Sequence, residues 1–421
     1  MISATGSLRS LRHRNYRLFY GANILSNIGS WAQRIAQDWL VLELTHSSKQ
    51  IGIVTGLQFL PSLLFSMYGG KLADRKDKRQ LLYITNGGVG ITALILGMLV
   101  VNGSVHIWHV YILALLLGLF SAIDGPIRFA FTPELVGTKD IPNAVSLNSA
   151  NFHMGRLIGP ALSGFLIAWF GTGPSFLLNA GTYIFVLGAL FMMNEEDLMK
   201  ESKPKTEAKL REAIAYVRAR KDIVAIMITV FFAGTFGLNF QIFSAMMATK
   251  IYGRGPATYG SLGSFIAIGS LTAAIISAKM DKRRGPRFVM GFATLFGLWV
   301  AVTSVMPTYI YYSATLPLLG FLSLTTMISA NSYIQQTTDP QIRGRVMGIY
   351  LMVFMGGTPF GSPLVGWVME HIGVRQTIAW CGIIASASAF ITFMILRGNV
   401  ARPASILVDD VLEADLDGYK G

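Results

Sequence analysis

Five ionisable side chains lie within stretches of the chain that are otherwise apolar: Arg34, Asp38, Asp124, Arg128 and Arg156. The whole chain of 421 residues is 52% hydrophobic and only 14% charged. A charge in such surroundings is costly, and those that persist commonly take part in function. Two of the acids stand four residues from an arginine, so each pair can meet on one face of a helix. The pattern indicates either self-contained structural ion pairs or sites that handle protons and charged ligands.

The helix expected around Arg34 and Asp38 has one long polar face. Asn23, Asn27 and Trp31 recur at helical spacing on the same side as the two charges. A polar face of this length would be unfavourable against lipid, so it should line a cavity or a helix interface. The sequence therefore places its most probable chemistry along this first helix.

Twelve stretches are long enough to cross the hydrocarbon core of a bilayer, which is about 30 Å thick and needs about 20 apolar residues. They lie near 16–42, 50–70, 80–102, 108–132, 144–170, 174–193, 223–250, 258–279, 287–306, 309–333, 345–370 and 375–396. The sequence therefore predicts an all-α membrane protein with twelve transmembrane helices in contact with the lipid bilayer. An even number of spans would put both termini on one side.

Lysine and arginine are distributed unevenly between the two sides of this arrangement. The N-terminal segment, the connections that follow each even-numbered span and the C-terminal tail carry 28 of the 35, whereas the opposite connections carry four. Because positive loops mark the cytoplasmic side, both termini are predicted to be cytoplasmic in a bacterial cytoplasmic membrane. The same bias accounts for the net charge of +13 without any binding of nucleic acid.

The sequence has no pattern typical of an enzyme or a metal site. It contains no Walker A loop, and its six histidines are scattered without metal-ligand spacing. The single cysteine, Cys381, cannot form an intramolecular disulfide. The polar, basic segment before the first span is unlike a cleavable signal peptide. We therefore expect no catalytic residue, no metal and no cofactor.

The chain repeats itself, with glycines of the second half falling on those of the first. A shift of 202 residues carries Gly155, Gly159, Leu162, Gly164 and Gly171 onto Gly357, Gly361, Leu364, Gly366 and Gly373. A shift of 207 carries Asp74-Arg75 onto Asp281-Lys282. Parallel repeats of six spans are the layout of one large class of transporters, whose ligand site lies between the halves. The sequence therefore predicts two pseudo-symmetric six-helix halves.

The domain boundaries follow from this repeat. The first six-helix half is predicted to cover 1–193 and the second 223–398. A cytoplasmic linker, 194–222, joins them and contains a short amphipathic helix within 207–220, and an acidic tail covers 399–421.

The charged connection between spans two and three has a specific residue order. It reads Gly70-Lys-Leu72-Ala-Asp74-Arg75-Lys-Asp-Lys-Arg79. This order resembles the loop 2–3 signature of the major facilitator superfamily, with Asp77 where that family usually has glycine. The resemblance extends over roughly residues 10–400 and implies that the loop is a conformational latch between the halves, formed by Gly70, Leu72, Asp74, Arg75 and Arg79. An ordinary basic loop is the alternative.

A second motif lies in span five. Gly155, Gly159, Pro160 and Gly164 match the superfamily's antiporter motif, whereas Ser163 stands where a glycine is typical. The resemblance implies an exporter. Small residues also permit close helix crossing, so packing alone is the alternative, and the copy of this pattern in the second half supports it in part.

The resemblance also implies which residues meet the ligand, since spans one, four, seven and ten of the superfamily line a central cavity. The residues expected there are Asn23, Asn27, Trp31, Arg34, Arg128, Phe232, Asn239, Thr326 and Tyr333. Arg156, in span five, is added because it is a deep charge near the midplane. Arg34 and Arg156 would attract an anionic group, and Asp38 and Asp124 are the predicted proton carriers. Core packing is the alternative for any one of them.

Within the superfamily, the chain is most similar to the efflux branch that includes enterobactin exporters and macrolide-type drug exporters. The stretches Leu11–Phe19 and Gln37–Thr45 carry this likeness. It implies a monomeric, proton-coupled antiporter that exports a small amphipathic or anionic molecule of the drug or siderophore class by alternating access. A lipid or lysolipid translocase on the same fold and a non-transporting membrane sensor are the alternatives.

Overall fold

The computed structural model of the protein describes residues 8–199, 210–279, 284–339 and 342–397, except for the side chains of residues 66, 67, 74, 210, 278, 279 and 397. The described part is almost entirely helical. Its N-terminal helices are α1 (Arg14–Thr45), α2 (Ser48–Arg75), α3 (Lys78–Val101), α4 (Ile107–Val136), α5 (Ile141–Phe170) and α6 (Gly173–Phe191). Short 3₁₀ turns at Arg9–Arg12, Thr138–Asp140 and Glu195–Asp197 flank them.

A second set of helices begins within the linker. It comprises α7 (Leu210–Ala219), α8 (Lys221–Phe232), α9 (Phe240–Met246), α10 (Pro256–Lys279), α11 (Pro286–Ser304), α12 (Tyr309–Thr337), α13 (Arg343–Gly356), α14 (Thr358–Ile372) and α15 (Val374–Arg397). Two π-helical turns, Ala233–Gly237 and Met247–Ile251, extend α8 and α9 into one segment. Within the described ranges, nine segments are long and apolar enough to cross a membrane. Helices α1, α2 and α5 have 32, 28 and 30 residues and do not belong to these nine.

Turn chemistry explains where several helices begin and end. Asp77, the departure from the loop signature, caps α3 because its carboxylate accepts a hydrogen bond of 2.9 Å from the amide of Gln80. Gly171 ends α5 with φ +77° and Gly373 ends α14 with φ +96°, a region that favours glycine. These two glycines are equivalent in the 202-residue repeat. That part of the repeat therefore reflects the need for glycine at a positive φ where a helix ends.

The two sets of helices pack mainly among themselves, and their largest contacts with each other are two helix crossings. In the first set α1 packs against α5 and α6, and α2 and α3 pack against α4. In the second set α10 and α11 pack against α12, and α15 packs against α8 and α11. Between the sets, α2 crosses α14 and α5 crosses α10. Helix α7 lies in the stretch predicted to be amphipathic and buries Ala213 and Val217 against the second set.

Hydrogen bonds identify the end of the bundle that carries the N-terminus, which we call the terminal face. Asp140, after α4, pairs with Arg9 at 2.6 Å, Arg12 at 2.9 Å and His13 at 2.9 Å. Nearby, Asn15 donates to the carbonyl of Asn194 at 2.7 Å. The opposite end, with the turn after α1 and the end of α14, is the distal face. Asp140 therefore anchors the N-terminal segment to the α4–α5 connection.

We expect this anchor to weaken in acid. The hydrogen bond with His13, with the charges of Arg12 and Arg9, holds the pKa of Asp140 below its ordinary value. A lowered pKa in the folded state gives stability that is present above the ordinary value, about 4, and is lost as pH falls through the lowered one. Asp140→Asn should therefore lower the melting temperature of detergent-solubilised protein at pH 7, and its difference from wild type should shrink toward pH 3.

Asp197→Asn, at an exposed acid on the same face, is the matched control and should leave the melting temperature unchanged at both pH values. A difference for Asp140→Asn that stays constant with pH would show that the carboxylate charge contributes nothing to the anchor.

Candidate functional site

Two arginines share one aromatic ring in the interior. The guanidinium carbon of Arg34 lies 5.1 Å from the centroid of the Trp31 ring and 5.4 Å from that of Phe59. The guanidinium carbon of Arg156 lies 5.8 Å from the Trp31 ring. No carboxylate of the described residues lies within 4.0 Å of either guanidinium. Cation–π contacts stabilise such charges by about 0.5–2 kcal/mol but do not neutralise them, so this site, the Arg34–Trp31–Arg156 cluster, favours an anion.

Glycines of α5 bring Arg156 to this cluster. A Cβ on Gly155 would lie 2.7 Å from the side chain of Asn27, and one on Gly159 would lie 2.5 Å from the Cβ of Trp31. Helices α1 and α5 can approach this closely only because these positions lack side chains. The first two glycines of the antiporter-like motif thus position the indole ring and the neighbouring arginine.

A cavity of about 50 Å³ lies beside the cluster, between the two sets of helices. Trp31 and Arg156 line it from the first set, and Phe240, Gln241 and Tyr259 line it from the second. A water molecule occupies about 30 Å³ of liquid volume, so this space is too small for a ligand of many atoms. A larger ligand would have to enter as the sets of helices separate.

Asp38 makes its hydrogen bond with the other set of helices. The hydroxyl of Tyr259 on α10 donates to Asp38 on α1 at 3.0 Å, and both residues are buried. The Trp39 ring stacks on the Tyr259 ring with centroids 6.2 Å apart. The ion pair that the spacing of Arg34 and Asp38 permits is not formed within 4.0 Å, because the guanidinium of Arg34 lies against aromatic rings instead.

Asp124 is held within the first set of helices. Its carboxylate pairs with Arg128 at 2.8 Å and accepts hydrogen bonds from Thr85 at 2.8 Å and Asn86 at 2.9 Å. Arg128 also donates to Asn86 at 3.1 Å and to the side-chain oxygen of Asn23. The predicted pairing of Asp124 with Arg128 is therefore present, in a network that joins α1, α3 and α4.

Other residues expected at the cavity bond within their own set of helices. Asn27 donates to the carbonyl of Asn151 at 2.6 Å. Asn239 accepts a hydrogen bond of 2.7 Å from Ser362. Both amides therefore bridge helices that cross closely.

The remaining three residues that were expected to line the cavity lie along α8 and α12. Phe232 stacks on Phe236 with ring centroids 6.1 Å apart. Thr326 is fully buried and donates to a carbonyl of its own helix at 2.9 Å. Tyr333 donates to Asp222 at 2.6 Å, near the terminal face. The contacts of these residues are separate from the Arg34–Trp31–Arg156 cluster.

The residues of the predicted latch lie at the terminal face. Arg79 donates to the carbonyl of Leu190 at 2.8 Å and pairs with Glu195 at 2.9 Å, so it holds the start of α3 to the end of α6. Leu72 is partly buried against the first set of helices, and Arg75 is exposed. The side chain of Asp74 and residues 281–283 lie outside the described part of the chain, so the latch role stays a prediction.

The close helix approach beside this connection occurs at Gly69, near the end of α2. A Cβ on Gly69 would lie 3.1 Å from the backbone of Ile123 on α4, whereas a Cβ on Gly70 would meet open space. The geometry thus assigns packing to the first glycine of the pair and leaves Gly70 without a packing reason.

The two sets of helices are in contact toward the distal face. Ser48 at the start of α2 donates to the carbonyl of Gly366 on α14 at 2.9 Å. A Cβ on Gly260 of α10 would lie 2.4 Å from the carbonyl oxygen of Pro160 and 2.8 Å from the Cα of Gly164. Pro160 and Gly164 therefore pack across the interface, whereas Gly155 and Gly159 pack within the first set.

Comparison with known proteins identifies the family. A family model described as transmembrane secretion effector matches residues 5–419. The chain belongs to this family of major facilitator transporters. The predicted superfamily is thereby confirmed.

Two curated relatives are similar along most of this chain. The staphyloferrin A transporter of Staphylococcus aureus (strain NCTC 8325 / PS 47) is 25% identical over 383 residues, covering 90% of this chain and 96% of the relative. The enterobactin exporter EntS of Escherichia coli O1:K1 / APEC is 25% identical over 390 residues, covering 90% and 88%. Both are transporters, which agrees with a transport role in place of catalysis.

Solved structures support the fold. A bacterial homologue of the human lysosomal transporter Spinster, in an inward-facing and occupied conformation, superposes with a TM-score of 0.70 at 14% identity and covers 95% of this chain and 100% of that chain. The nucleoside transporter NupG gives a TM-score of 0.71 at 14% identity and covers 91% and 99%. At this identity the likeness concerns the fold alone.

We expect Asp124 and Arg128 to be strongly coupled in stability. Removing either partner alone leaves a partly buried charge unpaired, so Asp124→Asn and Arg128→Gln should each destabilise the protein. The double variant should lose less than their sum, with a coupling of about 0.5–3 kcal/mol. Reversible unfolding in mixed micelles measures the free energy of unfolding of the wild type, the two single variants and the double variant.

The pair of Arg79 and Glu195 is the matched control, because its carboxylate is 72% exposed and ion pairs that are open to solvent contribute about 0–1 kcal/mol. Equal coupling in the two double-mutant cycles would contradict a special stabilising role for the network around Asp124.

Proposed function

We propose that this protein is a secondary active transporter that exports an anionic small molecule of the siderophore class. The observation that carries the proposal is the Arg34–Trp31–Arg156 cluster. Two guanidinium groups there face one ring, without a carboxylate of the described chain within 4.0 Å. A ligand with anionic oxygen atoms would complete the site by charge-assisted hydrogen bonds. Hard anionic oxygens are also the donors that iron chelators require.

The relatives support the same substrate class. Two of them are named for the siderophores staphyloferrin A and enterobactin. The direction of transport is supported by the enterobactin exporter and by the antiporter-like motif in α5. Trp31 and the neighbouring Phe59 would add stacking area for an amphipathic ligand.

We propose the complete layout as twelve transmembrane helices in two six-helix halves, 1–193 and 223–398. Equivalent glycines support it. Gly159 packs on Trp31 in α1, and Gly361 packs on Thr235 in the segment that continues α8. Gly164 packs across the interface on α10, and Gly366 packs across it on α2. In this layout the linker, the tail and both termini lie in the cytoplasm of a monomer in the bacterial inner membrane.

Alternating access would require the distal contacts to open. In the present arrangement α2 meets α14 and α5 meets α10 toward the distal face. Between them, the hydrogen bond from Tyr259 to Asp38 also joins the halves. We infer that opening to the distal side breaks this bond, and that the Arg34–Trp31–Arg156 cluster then becomes accessible from that side.

Protonation of Asp38 offers a route to proton coupling. An ionised carboxylate accepts a hydrogen bond worth about 1.5–3 kcal/mol, compared with about 0.5–1.5 kcal/mol for a neutral acceptor. A proton on Asp38 would therefore weaken the bond from Tyr259 and favour separation of the halves. Asp124 is the second proposed carrier, but its partners lie within one half, so its protonation would not directly change the contact between halves.

We expect substitution of either arginine in the cluster to weaken binding of an anionic siderophore. Arg34→Gln or Arg156→Gln should raise the Kd of metal-free staphyloferrin A or enterobactin at least about tenfold, since one lost charge-assisted hydrogen bond is worth about 1.5–3 kcal/mol. Isothermal titration of protein in nanodiscs measures the Kd. Arg254→Gln is the control, because Arg254 lies over Tyr309 at the distal face.

Binding that is unchanged in both variants would refute the anionic site. Flux of lysolipid without flux of either siderophore would instead indicate a lipid translocase. No flux of any probe, with tolerance of Arg34→Gln, would indicate a membrane sensor.

A separate prediction concerns the driving force. In proteoliposomes, an imposed pH gradient should accelerate siderophore efflux by wild-type protein and not by Asp38→Asn. Tyr259→Phe should also weaken coupling and shift the equilibrium away from the distal-closed state, because it removes the donor of the hydrogen bond that protonation of Asp38 would weaken. Distance measurements between spin labels on α2 and α14 report that shift.

Asp197→Asn, at an exposed acid on the terminal face, serves as the control for coupling. Efflux that still follows the pH gradient in both Asp38→Asn and Asp124→Asn would exclude proton coupling through these carboxylates.

A further inference from the structure

Two apolar grooves flank helix α8 near the terminal face. One, of about 220 Å³, lies between α8 and α15, with Ile395 and Leu396 in its wall. The other, of about 320 Å³, lies between α8, α7 and α13, with Ile349 and Val353 in its wall. Val224 and Ile228 line both grooves and form the ridge that separates them. The two grooves are thus parallel slots on one helix.

The grooves converge on basic side chains. Arg218, in the last turn of α7, lines both grooves, and Lys221, the first residue of α8, lines one of them. Both side chains are exposed, and neither lies within 4.0 Å of a carboxylate in the described ranges. By contrast, Arg220 is engaged with Asp222 at 2.6 Å. Two positive charges are therefore available where the two apolar grooves meet.

The position along the membrane normal suits a lipid. Lys221 begins one candidate membrane span and Leu396 ends another, and these antiparallel segments contact each other through α8 and α15. Their ends therefore mark the same membrane boundary, where phosphate groups lie. Ile228 is 41% exposed and lies one to two turns deeper, at acyl-chain depth.

We propose that the two grooves bind one anionic diacyl phospholipid, with one acyl chain on each side of the Val224–Ile228 ridge and the phosphate between Arg218 and Lys221. Basic pockets at the ends of transmembrane helices suit anionic headgroups. The apolar walls of the grooves suit acyl chains, and the presence of two grooves suits a lipid with two acyl chains. This site is lateral to the Arg34–Trp31–Arg156 cluster and does not depend on the transported substrate.

Native mass spectrometry of the full-length protein, released from detergent, tests the proposal with dioleoyl phosphatidylglycerol and dioleoyl phosphatidylcholine as probes. The wild type should retain one phosphatidylglycerol and bind phosphatidylcholine at least tenfold more weakly. The variant with both Arg218→Gln and Lys221→Gln should lose that tenfold preference. Arg211→Gln should keep it, because Arg211 lies two turns earlier on α7 and lines neither groove.

A second variant separates the grooves from the charges. Val224→Trp would fill space in the grooves beside the ridge and should reduce binding of the diacyl lipid at least tenfold. Ile268→Trp, at an exposed position of α10, should not reduce it. Equal retention of phosphatidylglycerol by wild type, the double variant and Val224→Trp would overturn the proposal. Absence of bound phosphatidylglycerol in the wild type, as expected if the acidic residues 409–417 fill the grooves, would overturn it as well.

Discussion

The structure depends on two positive charges of the interior that have no carboxylate of the described residues within 4.0 Å. Arg34 and Arg156 compensate their lost hydration only partly, through the faces of Trp31 and Phe59. Charges in a low-dielectric region repel each other more strongly than in water. The arrangement is therefore more favourable when an anion binds, which makes the site suited to an anionic ligand.

Close helix crossing is the second constraint, and it is met by glycine in both halves of the chain. Gly155 and Gly159 bring α5 against α1, while Gly164 lies against α10. A side chain at any of these positions would separate the helices, because the neighbouring atoms are within 3.2 Å of an added Cβ. The motif that resembles an antiporter signature thus has two physical roles: Gly155 and Gly159 build the site within the first set of helices, and Gly164 closes the interface with the second set.

The sequence predicts the local features well because they have local causes. Apolar length predicts the helices, and the spacing of Asp124 and Arg128 predicts a pair on one helix face that is present at 2.8 Å. The glycine repeat predicts positions that pack in similar ways in the two sets of helices. The family resemblance, which rests on short motifs, is confirmed by a match over residues 5–419.

Contacts between distant parts of the chain could not be predicted in the same way. Tyr259 lies 221 residues from Asp38, and nothing in the apolar stretch around it distinguishes it from a packing tyrosine. Phe59 likewise competes with Asp38 for Arg34, so the spacing of four residues did not produce an ion pair. The Asp140 anchor was missed because the arginines of the N-terminus have a sufficient explanation in membrane topology.

The deep charged groups of the interior and the neutral donor that bonds to one of them come from different sets of helices. The first set of helices supplies both arginines of the cluster and both deep carboxylates, whereas the second supplies the hydroxyl of Tyr259. A neutral donor costs far less to move through a low-dielectric region than a charged one. If the halves rock against each other, the charged partners stay fixed in one half and only a neutral hydroxyl is exchanged at the carboxylate. The cost of conformational change is thereby kept low, while the strength of the bond between the halves still depends on the charge of Asp38.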